Sequence, residues 1–304
     1  MEKQKVKTIT RIGVILLSVF LINGMGCSAI YNKNGNSINT GYDMQGEVVF
    51  PDSQPEIPVP TGDLTASSVV LLPNLHGQNN GFTCTGLAYD SANNCFLIGD
   101  IGALLPGETA QSQIVKMTTD FSEVIGTIPL YSTFPNMTDV QGVAFDTSNN
   151  SIWFCSNAEN KIRNISLSGS SLGDVSVSRP TGIAYSENDD SFWVLTYDNN
   201  IVHINKSGMV LGTYVFQYNE ALDQCFLDES RGLLYITAGA NYSSRNNLYC
   251  FNISTHAQSI ACTVDSYAVE GIWLGDDDKM IILNDGYYHS AAVDKNQVNI
   301  YVIP

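Results

Sequence analysis

The chain has 304 residues, of which 44% are hydrophobic, so it can bury a large core but is too short for more than about two ordinary domains. It carries 30 acidic against 14 basic residues, a formal net charge of -16, and such a surface repels phosphate backbones. These figures argue against nucleic acid as a partner and leave cations and cationic partners as compatible classes.

The N-terminus has the layout of an export signal. An apolar run at 12–22 follows four basic residues, Lys3, Lys5, Lys7 and Arg11. Gly26 directly precedes Cys27, which resembles a bacterial lipobox, although Gly24 and Met25 depart from the usual motif. We therefore predict a lipoprotein-type signal peptide at 1–26, a lipid on Cys27, and a body held at a bacterial cell envelope, outside the cytoplasm. Ordinary signal-peptidase cleavage, with release of the body, and an uncleaved anchor are the alternatives.

Residues 27–64 have the composition of a tether. They are rich in Asn, Gly and Pro and show neither a helical nor a strand period. Such a segment cannot bury enough apolar surface to offset the entropy lost on ordering. We predict that it links the membrane to a folded domain at 65–304.

The folded domain is organised by a two-strand repeat. Its clearest copy is 139–146 followed by 151–157, and similar phrases begin at Thr85 and Thr181, with two looser copies after them. Aligned on Gly86, Gly142, Gly182, Cys225 and Gly271, the copies are spaced by 56, 40, 43 and 46 residues. This period is typical of propeller blades, which contain four strands in about 40 to 50 residues.

The strand count predicts an all-β propeller with five blades. The last copy ends at its third strand, 297–302, and a spare strand at 67–72 can complete that blade and close the ring. A sixth blade would have to lie within the 56-residue first interval, where we find only two outer strands, near 112–118 and 122–129.

The repeat phrase, Thr/Gln-Gly-aliphatic-Ala-aromatic-Asp followed by a polar turn and an aromatic-rich strand, resembles blades of a large propeller group. That group includes NHL-repeat proteins, SdiA-regulated proteins, regucalcin and gluconolactonase-like enzymes, and esterase-like phytases. The resemblance covers about residues 65–304 and implies the architecture more strongly than any activity. In the gluconolactonase-like members a Glu and several Asn or Asp side chains bind a metal, and Glu270 resembles that Glu.

The repeat also predicts where a site would lie. Longer loops share one face of the propeller, and the repeat places polar side chains around the channel mouth on that face. The candidate metal ligands, with calcium as the ion, are Glu270, Asp139, Asp223, Asn157 and Asp285. The candidate ligand contacts are Asp100, Arg179, Asp198, Arg245 and His289. The same acids and amides could instead bond neighbouring backbone and serve only the fold.

Six cysteines follow Cys27, and export permits disulfides. Cys250 and Cys262 lie at equal distances from the turn near His256, which predicts a disulfide between them, with Cys84 and Cys95 as a second choice.

Two functions remain open from the sequence. The first is a lipid-anchored binding or scaffold protein that takes an unknown protein, glycan or small molecule on its loop-rich face. The second is a metal-dependent hydrolase of the lactonase, phosphoesterase or phytase-like kind with its site at the channel mouth.

Overall fold

The computed structural model describes residues 59–75, 79–102, 111–135, 137–238, 242, 245–275, 278–291 and 293–303, and the backbone of four short strands before them. The chain divides into two units, 1–56 and 57–304. In the first unit, β1 (Ile30–Tyr31) pairs with β2 (Ser37–Ile38), and β3 (Gly41–Tyr42) pairs with β4 (Val48–Val49), both antiparallel. The predicted signal peptide and Cys27 lie outside the described residues. Within the described part of the chain, no helix has the length and hydrophobicity to cross a membrane.

The second unit consists of strands in five sheets. Two strands precede the first full blade: β5 (Gly62–Leu64) and β6 (Ser68–Leu71). Blade 1 contains β7 (Cys84–Asp90), β8 (Cys95–Asp100), β9 (Gln113–Met117) and β10 (Val124–Pro129). Blade 2 contains β11 (Val143–Asp146), β12 (Ser151–Ser156), β13 (Lys161–Ser166) and β14 (Ser171–Ser176). Blade 3 contains β15 (Pro180–Ser186), β16 (Ser191–Thr196), β17 (Asn200–Asn205) and β18 (Val210–Val215).

The last two blades incorporate the early strands. Blade 4 contains β19 (Leu222–Asp228), β20 (Leu233–Ala238), β21 (Asn246–Asn252) and β22 (Gln258–Val264), and β5 adds to β22 in parallel. Blade 5 contains β23 (Val269–Leu274), β24 (Lys279–Asn284) and β25 (Gln297–Val302), and β6 pairs with β25 as its fourth strand. This confirms the predicted ring closure. The strand β5 was not predicted, and it places the last residues of the predicted tether in the propeller unit.

The five first strands form a closed ring, because β7, β11, β15, β19 and β23 contact one another in cyclic order. The blades are therefore the five predicted from the repeat spacing. Five buried hydrophobic clusters fill the blades and the spaces between them. One such contact is made by Trp153 of blade 2 and Phe192 of blade 3, whose ring centroids are 4.7 Å apart.

The hairpin turns are built by local polar chemistry. Asp90 Oδ1 accepts hydrogen bonds from the backbone N–H groups of Ala92 and Asn93, at 3.1 and 3.0 Å. The turn then ends at Asn94, whose φ of 52° is in the left-handed region that Asn tolerates well. Asp146 and Asn150 repeat this arrangement in blade 2. The acidic and amide residues of these turns therefore explain how each hairpin closes within a few residues.

Glycine allows neighbouring first strands to approach each other closely. A Cβ on Gly86 would lie 2.3 Å from Val143 N, and one on Gly142 would lie 2.7 Å from Ile183 N. Because the clashing atoms belong to the backbone of the next blade, they cannot move aside without moving that blade. The repeat glycine therefore permits the close approach of these neighbouring strands.

The strand register corrects our alignment of the fourth copy by one residue. Cys225 pairs with Ile236 as Leu87 pairs with Ile98, so Gln224, and not Cys225, occupies the position of the repeat glycine. Asp223 consequently occupies the same position as Thr85 in blade 1.

The register also contradicts the predicted disulfide. Cys250 pairs with Ser259, whereas Cys262 pairs with Leu248, because the hairpin is centred between residues 254 and 255 and not on His256. Both cysteines are free thiols. The second choice is also wrong, since Cys84 and Cys95 lie at opposite ends of one hairpin and are free.

We predict that Gly86→Ala destabilises the propeller by about 3 kcal/mol, because the added methyl group overlaps the backbone of blade 2. Urea unfolding followed by tryptophan fluorescence would measure the change. Gly126→Ala is the matched control, since a Cβ there meets only Lys116 Cδ at 3.9 Å. Equal stability of the two variants would show that the blades are not in backbone contact.

Candidate functional site

Two acids occupy the position before the repeat glycine in the last two blades. The structural equivalents of Thr85 in the other blades are Gln141, Thr181, Asp223 and Glu270. Blades 1–3 are therefore neutral at this position, and blades 4 and 5 each contribute a carboxyl group.

The loop after β24 adds two more ionisable groups. Asp285 follows the strand directly and is buried, and His289 lies four residues after Asp285. His289 Nε2 is 3.2 Å from Asp285 Oδ2. One ligand atom each from Glu270, Asp285 and His289 lie within 4.8 Å of one another. The carboxyl group of Asp223 lies beside that of Glu270 and interacts with it. We call these four side chains the mouth cluster.

Electrostatics in the mouth cluster favour protonation. Burial, with repulsion from Asp285, raises the pKa of Asp223 to about 7. Burial and the two neighbouring aspartates raise the pKa of Glu270 well above its usual range. Burial also raises the pKa of Asp285, against the opposing effect of His289, and the hydrogen bond to Asp285 raises the pKa of His289. The cluster therefore holds protons at neutral pH that free carboxylic acids would have lost.

One atom of the mouth cluster lacks any partner. Asp285 Oδ1 is buried and accepts no hydrogen bond, although Oδ2 of the same carboxyl group bonds His289. A buried carboxylate oxygen without a donor is costly, and a bound cation would remove that cost. The donor set, carboxylate oxygens with one imidazole nitrogen, has the chemistry of a divalent metal site.

Tyrosines flank the histidine. The ring of Tyr242 stacks on His289, with centroids 4.5 Å apart and an interplanar angle of 11°, and Tyr288 meets the same ring edge-on at 4.9 Å. Burial, together with the charges of Asp285, Glu270 and Asp223, raises the pKa of Tyr242. Each of the two tyrosines is 42–43% exposed, so they border the cluster on the solvent side.

Among the predicted metal ligands, Asp139 and Asn157 belong to a separate structural arrangement. The carboxylate of Asp139 accepts hydrogen bonds from Ser156 Oγ at 2.8 Å and from the backbone N–H groups of Asn157 and Ala158 at 2.7 and 3.2 Å. Asn157 Nδ2 donates to Arg179 O at 3.4 Å. These hydrogen bonds connect both side chains to groups of blade 2 and of the segment that leads into blade 3.

The predicted ligand contacts divide in the same way, and only His289 lies in the mouth cluster. Asp100 accepts hydrogen bonds from Gly102 N at 3.0 Å and Gln113 Nε2 at 2.9 Å. Arg179 forms an exposed ion pair with Asp198 at 3.0 Å. Arg245 donates to Leu64 O and so fastens β5 to blade 4.

The sequence contained a signal for the site that we did not use. Asp223 and Glu270 break the neutral pattern of the repeat, but our alignment on Cys225 hid their equivalence. We did not predict Tyr242 and Tyr288 as site residues. Both lie in long loops, where no strand pairing fixes the direction of a side chain.

Comparison with known proteins shows the fold alone. No family model matches the chain, and no curated protein is similar to it in sequence at a significant level. The structure is similar to the glutaminyl cyclase of Myxococcus xanthus, with a TM-score of 0.55 and 11% identity over 80% of this chain and 97% of that one. Virginiamycin B lyase from Staphylococcus aureus matches with a TM-score of 0.45 and 16% identity, over 91% of this chain and 94% of that one. The match to U3-55K has a TM-score of 0.46 and 12% identity, and covers 73% of this chain but only 62% of that one.

We predict that, in the presence of a chelator, stability falls as the pH rises from about 5 to about 8. The raised pKa values mean that the folded protein binds more protons than the unfolded chain, so this contribution is complete below about pH 4 and is lost as the pH passes through about 7. Urea unfolding at several pH values would measure it.

Glu270→Gln should flatten this dependence and raise stability at pH 8 by about 1–2 kcal/mol, because it removes a buried negative charge. Asp198→Asn, which changes an exposed carboxylate outside the cluster, should keep the wild-type profile. A wild-type protein that is more stable at pH 8 than at pH 5 would contradict the raised pKa values of the mouth cluster.

Proposed function

We propose that this chain is a lipid-anchored, extracytoplasmic binding propeller that captures a divalent metal ion at the channel mouth of its loop-rich face. The observation that carries the proposal is the convergence of Glu270, Asp285 and His289, with Asp285 Oδ1 buried and unpartnered. Asp223 supports the same site, since it adds a further carboxyl group in contact with Glu270.

The imidazole favours a metal of the zinc or manganese type over calcium. Calcium sites use six to eight oxygen ligands, whereas imidazole together with carboxylate suits first-row transition metals. Tyr242 and Tyr288, which pack against His289, would border the solvent-facing side of the ion and contact a ligand bound to it. The proposed ligand therefore has a donor atom for the metal and a body that can pack against aromatic rings.

We predict that zinc or manganese at a small molar excess raises the melting temperature of the purified domain by several degrees, and that calcium raises it less. His289→Asn should abolish most of this shift and most of the metal retained after dialysis. Differential scanning fluorimetry and elemental analysis would measure the two effects.

The matched control is His256→Asn, because His256 lies in an exposed turn with a φ of 63° that asparagine also adopts. That variant should bind metal as the wild type does. If both His289→Asn and Glu270→Gln retained the ion, the proposed metal site at the channel mouth would be wrong.

One observation favours the hydrolase as a second candidate. Burial raises the pKa of Asp223 to about 7, so Asp223 holds a proton beside the proposed metal ligand Glu270, and a carboxyl group with such a pKa can act as a general acid or base. Turnover of an ester, lactone or phosphate by the metal-loaded protein, lost in Glu270→Gln, would establish this activity. Metal binding without turnover would leave the binding function.

The proposed anchor depends on Cys27. We predict that the full-length chain, expressed in a bacterium, labels with a clickable palmitate analogue and sediments with membranes, and that Cys27→Ser does neither. Cys155→Ser is the matched control, since it changes a thiol buried in the propeller. Equal labelling of the two variants would exclude lipidation at Cys27.

A further inference from the structure

A funnel opens at the opposite end of the propeller, on the face of the short hairpin turns. It has a volume of about 250 Å³ and lies where the last residues of the five first strands surround the axis. A second concavity of about 330 Å³ adjoins it and shares Phe145, Tyr185 and Phe226 as lining residues. The funnel shares no lining residue with the mouth cluster.

The funnel wall is aromatic on every side. Each blade contributes one ring, and the five are Tyr89, Phe145, Tyr185, Phe226 and Trp273. Hydrogen bonds from Tyr89 Oη to Asn94 and from Tyr185 Oη to Asp190, at 2.6 and 2.8 Å, fix two of these rings to the turns around them. Aliphatic side chains such as Leu87 and Val143 line the wall beside the rings.

Carboxylates lie at the rim of this wall. Glu187 lines both concavities, and Glu229 lines the adjoining one. The basic groups nearby are already paired, since Lys206 bonds Asp146 and Asp190, and Arg231 bonds Asp228 at 2.6 Å. The opening is therefore apolar inside and negative at its edge.

The structure already places a cation against one of these rings. Lys206 Nζ lies 4.8 Å from the centroid of Tyr185, within the range of a cation–π contact. The negative rim and the aromatic wall thus favour the same kind of guest, an apolar body that carries a positive charge.

We propose that this funnel is a second binding site, independent of the mouth cluster, for a small organic cation of the aryl- or alkylammonium class. The apolar part of the ligand enters among the five aromatic rings, and the ammonium group remains at the rim beside Glu187 and Glu229.

The test uses phenyltrimethylammonium as the probe and Trp273 as the reporter. Trp273 lines the funnel, whereas Trp153 and Trp193 are only 4% and 3% exposed. Titration should give a saturable change in tryptophan fluorescence that disappears in Trp273→Phe. Adding chelator, or changing Glu270 to Gln, should not alter the titration, which distinguishes this site from the proposed metal site.

The double variant Glu187→Gln/Glu229→Gln should weaken binding of the cation about tenfold and leave binding of neutral benzyl alcohol unchanged. The fold should survive, because glutamine keeps the oxygen that accepts from Thr147 at the first position and from Ser186 at the second. Either of two results would overturn the proposal: equal affinity for the cation in the wild type and the double variant, or no saturable signal from Trp273.

Discussion

Backbone contact between neighbouring first strands is the constraint on which the rest of this propeller depends. In four of the five blades, a glycine at 86, 142, 182 or 271 lies so close to the next first strand that an added Cβ would overlap main-chain atoms. Side chains of the first strands are therefore directed into the spaces between blades, where the hydrophobic clusters form. Only residues near the strand ends can face the axis, so ligand chemistry is confined to the two ends of the ring.

At the loop-rich end, this confinement forces acids together. Asp223 and Glu270 occupy equivalent positions in adjacent blades, and the loop after β24 adds Asp285 beside them. Acids that serve only stability are usually paired with bases. Here the pKa values of Glu270 and Asp285 stay raised, so His289 alone does not neutralise the negative charge of the mouth cluster. The mouth cluster therefore buries like charges together. The carboxylate of Asp139 differs, because it accepts its hydrogen bonds from donors of its own blade.

The sequence predicted what is local and periodic. Blade number, the hairpins and the strands Ser151–Ser156 and Gln297–Val302 follow from turn residues and from alternation over a few positions. Errors arose where the sequence gives no fixed point from which to count. The β21–β22 hairpin is centred between residues 254 and 255 and not on His256, so Cys250 and Cys262 do not face each other. Blade 4 has Gln224 in place of the repeat glycine, so the alignment on Cys225 missed that Asp223 matches Glu270.

Both candidate sites draw on the blades that depart from the repeat. Blades 1–3 have a neutral residue before the glycine position and alanine two residues after it, as in Thr85 and Ala88. Blades 4 and 5 have acids at the first position and large aromatics, Phe226 and Trp273, at the second. The two changes affect opposite ends of the same strands, since the acids face the loop-rich mouth and the aromatics line the funnel. Because a ring of five identical blades would close without either change, closure does not explain them, and both changes fall on the two sites that we propose.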